Sequence, residues 1–289
     1  MVKETIDYQK EREHLEFIRG IKQHTQRSKQ WFKDRYKRLT SSDAATALGI
    51  NPYKKPVQLL LEKCGAGRPF TGNECTLHGQ KYEDEAIGKY AYLMGKKNHD
   101  FGMIGYEHLN PTRKNTPHLV HEQYDFLGGS PDGIAEDTSE IEPLVMLEVK
   151  CPLRRKIKHG QVPHHYYPQV QLNMFILDLK IADFIEYIPA INGNKLELNI
   201  VRVHRCEDWF NENVPKLRKF WNEVLIWRTR DIKTHPDYSK HAYIPPSTSK
   251  TVVNIPDYLF VDDGEPRPQS EAEPIFDVPD EPMFDDVED

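Results

Sequence analysis

The stretch Leu144-Val145-Met146-Leu147-Glu148-Val149-Lys150 most tightly constrains what this chain can fold into. It reads as a strand of the buried type, yet it ends with a carboxylate and an ammonium two residues apart. Successive strand residues face opposite sides, so Glu148 and Lys150 project together while Val149 points to the other face. Charges at the end of an apolar strand are costly unless something binds there. Upstream, Ser130-Pro131-Asp132-Gly133 reads as a turn between two strands, and its spacing from Glu148 permits a single hairpin that brings Asp132 to the same face. Taken singly, Asp-Gly marks a turn and Glu-x-Lys a surface ion pair. The buried-type strand and the hairpin spacing together single these residues out.

Around this strand the hydrophobic period predicts helices, then strands, then both. Residues 4–38 lack Gly and Pro except at Gly20 and are rich in helix formers, so they read as helical. Thr40–Ala47 begins with hydroxyl residues able to cap a short helix that Gly49 closes, and a further helix is expected over Pro56–Lys63. Leu77–Met94 places Tyr82, Ala86, Ile87, Tyr90, Leu93 and Met94 on one side at helical spacing, with Gly95 as its stop. Strands are predicted at Gly102–Tyr106, Leu119–Tyr124, Phe126–Gly129 and Val145–Val149. A helix over Tyr166–Leu177 follows, then strands Phe184–Ile188 and Leu196–Val203 joined at Asn192-Gly193-Asn194. A last amphipathic helix, Glu207–Trp227, carries Trp209, Phe210, Leu217, Phe220, Trp221 and Leu225 at core-facing intervals. This order predicts one α/β or α+β domain over residues 1–230, with the strand-rich centre as its sheet, then an irregular extension over 231–260.

Charge is unevenly spread. Residues 261–289 hold twelve acids against Arg267 alone, a net −11, which leaves the other 260 residues at +5 within a whole-chain charge of −6. That proline-rich tail cannot bury enough apolar surface to offset its ordering entropy and is expected to be disordered. Basic residues elsewhere cluster in two runs, Arg27 to Arg38 and Lys150 to Lys158, as suits a polyanionic partner. No apolar run approaches the roughly 18 residues needed to cross a bilayer, and the polar start of the chain is unlike a secretory signal. Four cysteines without a CxxC pair fit neither a zinc ribbon nor a disulfide scaffold, so a reducing intracellular compartment is expected. The histidines, including the adjacent His164 and His165, have no cysteine at finger spacing and are not read as zinc ligands.

Two carboxylates converging with hard oxygen donors suit Mg²⁺ or Mn²⁺. A neighbouring ammonium suits the charge that develops in a phosphoryl transition state, or the activation of a water. Pro131-Asp132 followed by Glu148-Val149-Lys150 resembles the catalytic signature of the restriction-endonuclease-like (PD-(D/E)xK) nuclease superfamily. Gln30-Trp31-Phe32-Lys33-Asp34-Arg35 through Ser42-Asp43 is similar to the N-terminal motif of the lambda-type exonuclease, or YqaJ-like viral recombinase, family. His78 to Ala86 looks like that family's glutamate-bearing helix, Glu148 to Pro152 its extended catalytic strand, and Tyr167 to Gln171 the helix that follows.

The resemblance implies a restriction-endonuclease-like core, a central mixed sheet flanked by helices. It implies Asp132 and Glu148 as principal ligands of a two-metal Mg²⁺ site, with the Val149 carbonyl as a further donor and Glu83 holding the second ion. Lys150 would position or deprotonate the attacking water; of Gln169 and Gln171, two apart and so not on one helix face, the family motif places Gln169 as the residue that orients the site. Arg35, Ser42 and Ser130 stand at the positions of a DNA 5′-phosphate pocket, Ser42 being also a candidate helix cap, and Arg154, Arg155 and Lys156 offer a grip on the duplex backbone. The implied activity is a 5′-to-3′ exonuclease on double-stranded DNA ends, leaving 3′ single strands for recombination or repair. A structure-specific endonuclease or nickase, or a non-catalytic DNA-end-binding scaffold, are the alternatives. The expected partners are a single-strand annealing or binding protein and further copies of the chain in a homotrimer, in the host cytoplasm or nucleus if the source is viral.

Overall fold

The computed structural model describes residues 6–67, 72–109, 124–191, 193 and 195–243. The strand expected at Leu119–Tyr124 and the acidic tail lie outside them, apart from Tyr124.

A five-stranded sheet forms the centre. Its strands are β2 (Lys96–His99), β5 (Gly133–Asp137), β6 (Val145–Lys150), β7 (Ile181–Ile188) and β8 (Glu197–His204), hydrogen-bonded in that order. β6 runs parallel to β7 and every other neighbouring pair is antiparallel, so the sheet is mixed. A smaller sheet pairs β4 (Leu127–Gly129) with β1 (Leu39–Thr40) and β3 (Ile104–Gly105).

Helices cover both faces, and β6 shows why its sequence is apolar on both. Val145, Leu147 and Val149 pack with Tyr82, Ala86 and Tyr90 of the long helix α5 (Glu74–Met94). Met146 joins the opposite cluster with Ala182 and Phe184, under α6 (Tyr167–Leu177). Pro168 and all residues of α6 from Val170 onward are buried, which explains its lack of a polar face. α7 (Glu207–Arg228) closes that layer through Phe210, Val214, Leu217, Phe220, Trp221 and Val224.

Several expectations need correction. Residues 4–38 are not one helix but α1 (Tyr8–Gly20) and α2 (Lys29–Tyr36). Ser28 starts α2 by accepting a hydrogen bond from Trp31 N, and Arg27 before it takes a left-handed φ of 69°. The intervening loop is held by tertiary contacts: Gln26 Nε2 donates to Phe101 O at 3.1 Å and to Pro131 O at 3.2 Å. Residues 40–47 divide into the end of β1, a 3₁₀ turn (Ser41–Asp43) and the short helix α3 (Ala44–Ala47). Leu93 and Leu225, read as core, are 61 % and 43 % exposed, because α5 and α7 each bury a narrower stripe than their apolar residues suggest. The strand expected over Gly102–Tyr106 is reduced to β3, and β2 was not anticipated, its residues being Lys96-Lys97-Asn98-His99. α4 (Pro56–Lys63) matches its expected limits, and a final short helix, α8 (Tyr238–His241), lies in the extension.

Candidate active site

Asp132 sits on the tight connection into β5, its backbone N–H bonded to Leu147 O at 3.2 Å across the β5–β6 hairpin. Its carboxylate turns back to accept the Val149 N–H at 2.6 Å, which fixes it at the end of β6. Glu148 emerges from β6 on the α6 side and is wholly buried. One of its oxygens pairs with the Lys150 ammonium and the other accepts from Asn173 Nδ2 at 3.3 Å. Lys150 also donates to Val149 O at 3.0 Å and lies 5.4 Å from the centre of the Tyr166 ring. Glu83 reaches in from α5 and meets Arg27 Nη2 at 3.4 Å.

These groups feel one another. Burial, and then the charge of Asp132, pushes the Glu83 carboxyl up to about 7. Burial raises Glu148 to about 8 against the opposing pull of Lys150, with Asp132 and Glu83 adding smaller upward pushes. Burial alone would lower the Lys150 pKa, but Glu148 and Asp132 hold it above its ordinary value, so its ammonium stays charged.

One open cleft of about 1030 Å³ joins this acidic floor to a second bank. Asp132, Val149, Lys150, Glu83 and Gln169 line one part of it, and Arg35, Ser42 and Ser130 another. On the second bank Arg35 Nη2 donates to Ser42 Oγ at 2.8 Å and its guanidinium lies 4.4 Å from the centre of the Trp31 ring. Trp31 Nε1 donates to Ser130 Oγ at 3.0 Å, so the indole spaces the two hydroxyls around the guanidinium. Ser42 does not cap the 3₁₀ turn; Thr40 does, through Asp43.

Arg154 and Arg155 also line the cleft, whereas Lys156 is exposed beyond it. Arg155 pairs at 2.5 Å with the wholly buried Glu186 and lies 5.9 Å from the Tyr166 ring centre, so it is a fixed wall rather than a loose surface charge. The first basic run is likewise no single face: Arg27 and Arg35 enter the cleft, while Arg38 pairs with Glu107. Gln169 faces the cleft, whereas Gln171 is buried, donating to His204 O and accepting from Cys206 N. Cys151 is buried beside Val149, and burial together with nearby Glu83 pushes its thiol up to about 12.

Four residues of the site had no individual role in the sequence reading: Arg27, noted only within a basic run, Trp31, noted only within a motif, Tyr166 and Asn173. Asn173 stands one helical turn after Gln169, and that i, i+4 spacing was the available signal. It lies so close to Gly129 that a Cβ there would strike its Oδ1, and this oxygen has no hydrogen-bond partner.

Among the described residues, no three His, Cys, Asp or Glu side chains already form a ligand cage. The carboxylates are instead committed to protein donors, to Val149 N, to Lys150 and Asn173, and to Arg27. Their chemistry nonetheless fits a hard divalent cation. They are oxygen donors, two of them hold protons above the ordinary carboxylate range through burial first and neighbouring carboxylates second, and a bound cation would favour their charged forms.

Comparison with known proteins agrees with this architecture. The fold is similar to that of an alkaline exonuclease from Laribacter hongkongensis, with a TM-score of 0.54 at 20% identity, covering 70% of this chain and 95% of that one. Uncharacterized protein R354 of Acanthamoeba polyphaga mimivirus is 32% identical over 183 residues, 60% of this chain and 31% of that protein. Protein D345L of African swine fever virus is 29% identical over 170 residues, 54% of this chain and 47% of that one. The alignments therefore span less than half the length of these two relatives. The YqaJ-like viral recombinase domain matches residues 30–180, which take in both banks of the cleft, and the chain belongs to that family.

Proposed function

We propose that this protein is a divalent-metal-dependent exonuclease that digests double-stranded DNA from 5′ ends and leaves 3′ single strands. One observation carries the reading: a single cleft holds both an acidic, lysine-bearing floor and a separate bank of one guanidinium and two hydroxyls. An end that seats its terminal phosphate on the bank presents its first linkage to the floor, and this couples cleavage to a free 5′ end. The structurally similar Laribacter hongkongensis enzyme has also been solved in complex with dAMP, a nucleotide of the class such a cleft would release.

Asp132, Glu148 and Glu83, with the Val149 carbonyl, would hold Mg²⁺, or Mn²⁺ in its place. Such ions supply Lewis-acid activation of a water and stabilisation of the departing 3′ oxygen. Lys150, kept charged by its carboxylate neighbours, donates to the water or to a phosphoryl oxygen, so electrostatic stabilisation suits it better than proton removal. Gln169 orients the same region from α6. Asn173 keeps Glu148 from turning into the core. Arg35 binds the terminal phosphate through its fork while Ser42 and Ser130 add neutral donors. Arg154 and Arg155 grip the duplex backbone, with Lys156 further out.

The test compares linear with covalently closed circular duplex in the presence of Mg²⁺. Degradation of the linear form with circles intact is the expected result. Equal loss of closed circles would replace the exonuclease with an endonuclease on the same fold.

A further inference from the structure

At the cleft wall beside the Arg35–Ser42 bank lies a lysine that sequence reasoning would place on a solvated helix face. Lys63, in the last turn of α4, is only 5 % exposed. Its ammonium has three hydrogens and three acceptors. It meets Asp43 Oδ2 at 2.8 Å, Arg35 O at 2.8 Å and Arg38 O at 3.0 Å. The two carbonyls belong to the C-terminal end of α2 and the residues just past it, where a cation is favoured by the helix dipole and by the unsatisfied C=O groups. The carboxylate belongs to the turn that carries Ser42. Lys63 is therefore a cap supplied from another helix, and it joins the two segments whose side chains face the cleft.

Asp43 completes the link. Its Oδ2 also accepts from Thr40 Oγ1 at 2.6 Å and Thr40 N at 3.3 Å, and Thr40 Oγ1 lies 3.0 Å from Ser42 Oγ. From the other side Arg228 of α7 donates to Lys63 O at 2.8 Å and to Tyr36 O, which holds the same corner against the core. The charges of Lys63 and Asp43 cancel within this corner. The groups Arg35 touches are neutral, the Ser42 hydroxyl and the Trp31 ring, while Asp43 and Glu62 attract it at longer range, so its donors remain available to an anion. Without the ammonium, Asp43 would be a buried carboxylate attracting the nearest remaining guanidinium, that of Arg35.

We propose that Lys63 is a positioning residue for terminal-phosphate recognition: by neutralising Asp43 and tying the end of α2 to the Ser42 turn, it holds Arg35 open toward the cleft without itself touching DNA. The inference rests on the phosphate-bank reading given above and adds a residue that acts through Arg35. It predicts dependence of the discrimination between 5′-phosphoryl and 5′-hydroxyl ends on a buried lysine.

The experiment measures KM and kcat of the full chain on duplexes with each type of end. It uses the native protein, Lys63→Met, Arg35→Ala and the double variant, with melting temperatures recorded alongside. Lys63→Met should reduce the preference for phosphorylated ends about tenfold, through KM, as expected for one displaced charge-assisted contact. In the Arg35→Ala background the same change should have no further effect on the ratio, and Lys63→Arg should recover part of the preference. If Lys63→Met fails to fold, Lys63→Gln, which keeps a donor for the carbonyls but leaves Asp43 without its counter-charge, is expected to give the same selective loss. A folded Lys63→Met or Lys63→Gln protein that keeps the native preference overturns the proposal. So does a loss that adds fully to that of Arg35→Ala, since a purely structural effect would do so. A native protein indifferent to end phosphorylation would instead overturn the bank reading itself, and the positioning role with it.

Discussion

Lys63–Asp43 and Lys150–Glu148 are both lysine–carboxylate pairs at the wall of one cleft, yet their carboxyl groups shift in opposite directions. Burial would raise Asp43, but Lys63 and Arg35 on either side hold it well below the usual carboxylate range. Burial does raise Glu148, to about 8, because it is complete and Lys150 does not offset it, while the carboxylates Asp132 and Glu83 push the same way where Asp43 has a second cation. The first pair is saturated: every donor of the ammonium is used within the protein. In the second, Lys150 lines the cleft with Glu148 buried behind it, and Asp132 and Glu83 beside them add negative charge. A charge-balanced pair holds geometry, whereas an excess of carboxylate marks the place where a cation belongs.

Breaking the second pair should have the largest effect. Asp132→Ala or Lys150→Ala should lower kcat by about a thousandfold or more while leaving duplex binding in place, checked by digestion of end-labelled DNA beside a gel-shift titration. Undiminished cleavage in both variants would remove the acidic floor from the mechanism. Asn173→Ala frees one oxygen of Glu148 and should cost about ten- to a hundredfold in activity, with the apparent affinity for Mg²⁺ weakened in parallel. A loss without any change in metal dependence would make Asn173 a packing residue only. On the phosphate bank, Arg35→Ala should reduce the preference for 5′-phosphorylated over 5′-hydroxyl ends about tenfold, read as a ratio of kcat/KM values. An unchanged ratio would take Arg35 out of that role.

The titration contrast gives the smallest effect and the sharpest sign. Glu83 and Glu148 must be ionised to hold a cation, so activity should fall as pH drops through about 8 and then about 7, and raised Mg²⁺ should move that limb to lower pH. Stability runs the other way. Both groups hold protons in the folded protein that the unfolded chain has released above the ordinary carboxylate range. The metal-free fold should therefore lose stability as pH rises from about 5 to 8. Glu148→Gln should flatten that slope in thermal melts at several pH values, and an unaltered slope would mean that Glu148 ionises normally.

The catalytic-type strand was legible because period-2 alternation is a local property: Glu148, Val149 and Lys150 needed no tertiary information to be assigned to their faces. α5 was legible for the same reason, down to the left-handed Gly95 that ends it. The break between α1 and α2 was less so, since Gln26 is held by carbonyls from residues far along the chain, although Ser28 offered a capping signal. Asn173 and Lys63 were hidden for a deeper reason. An amide on an apolar helix and a lysine near a helix end have many ordinary explanations, and only the packed fold shows which acceptors surround them.

The central claim is that terminal-phosphate seating and metal-assisted cleavage occur in one cleft. It is tested most directly by digesting a linear duplex that carries a label at either the 5′ or the 3′ end of one strand, with and without Mg²⁺. The expected result is early release of the 5′ label as mononucleotide, late loss of the 3′ label, and no release of either without the metal. Early loss of the 3′ label, or equal release of both in metal-free buffer, would contradict it.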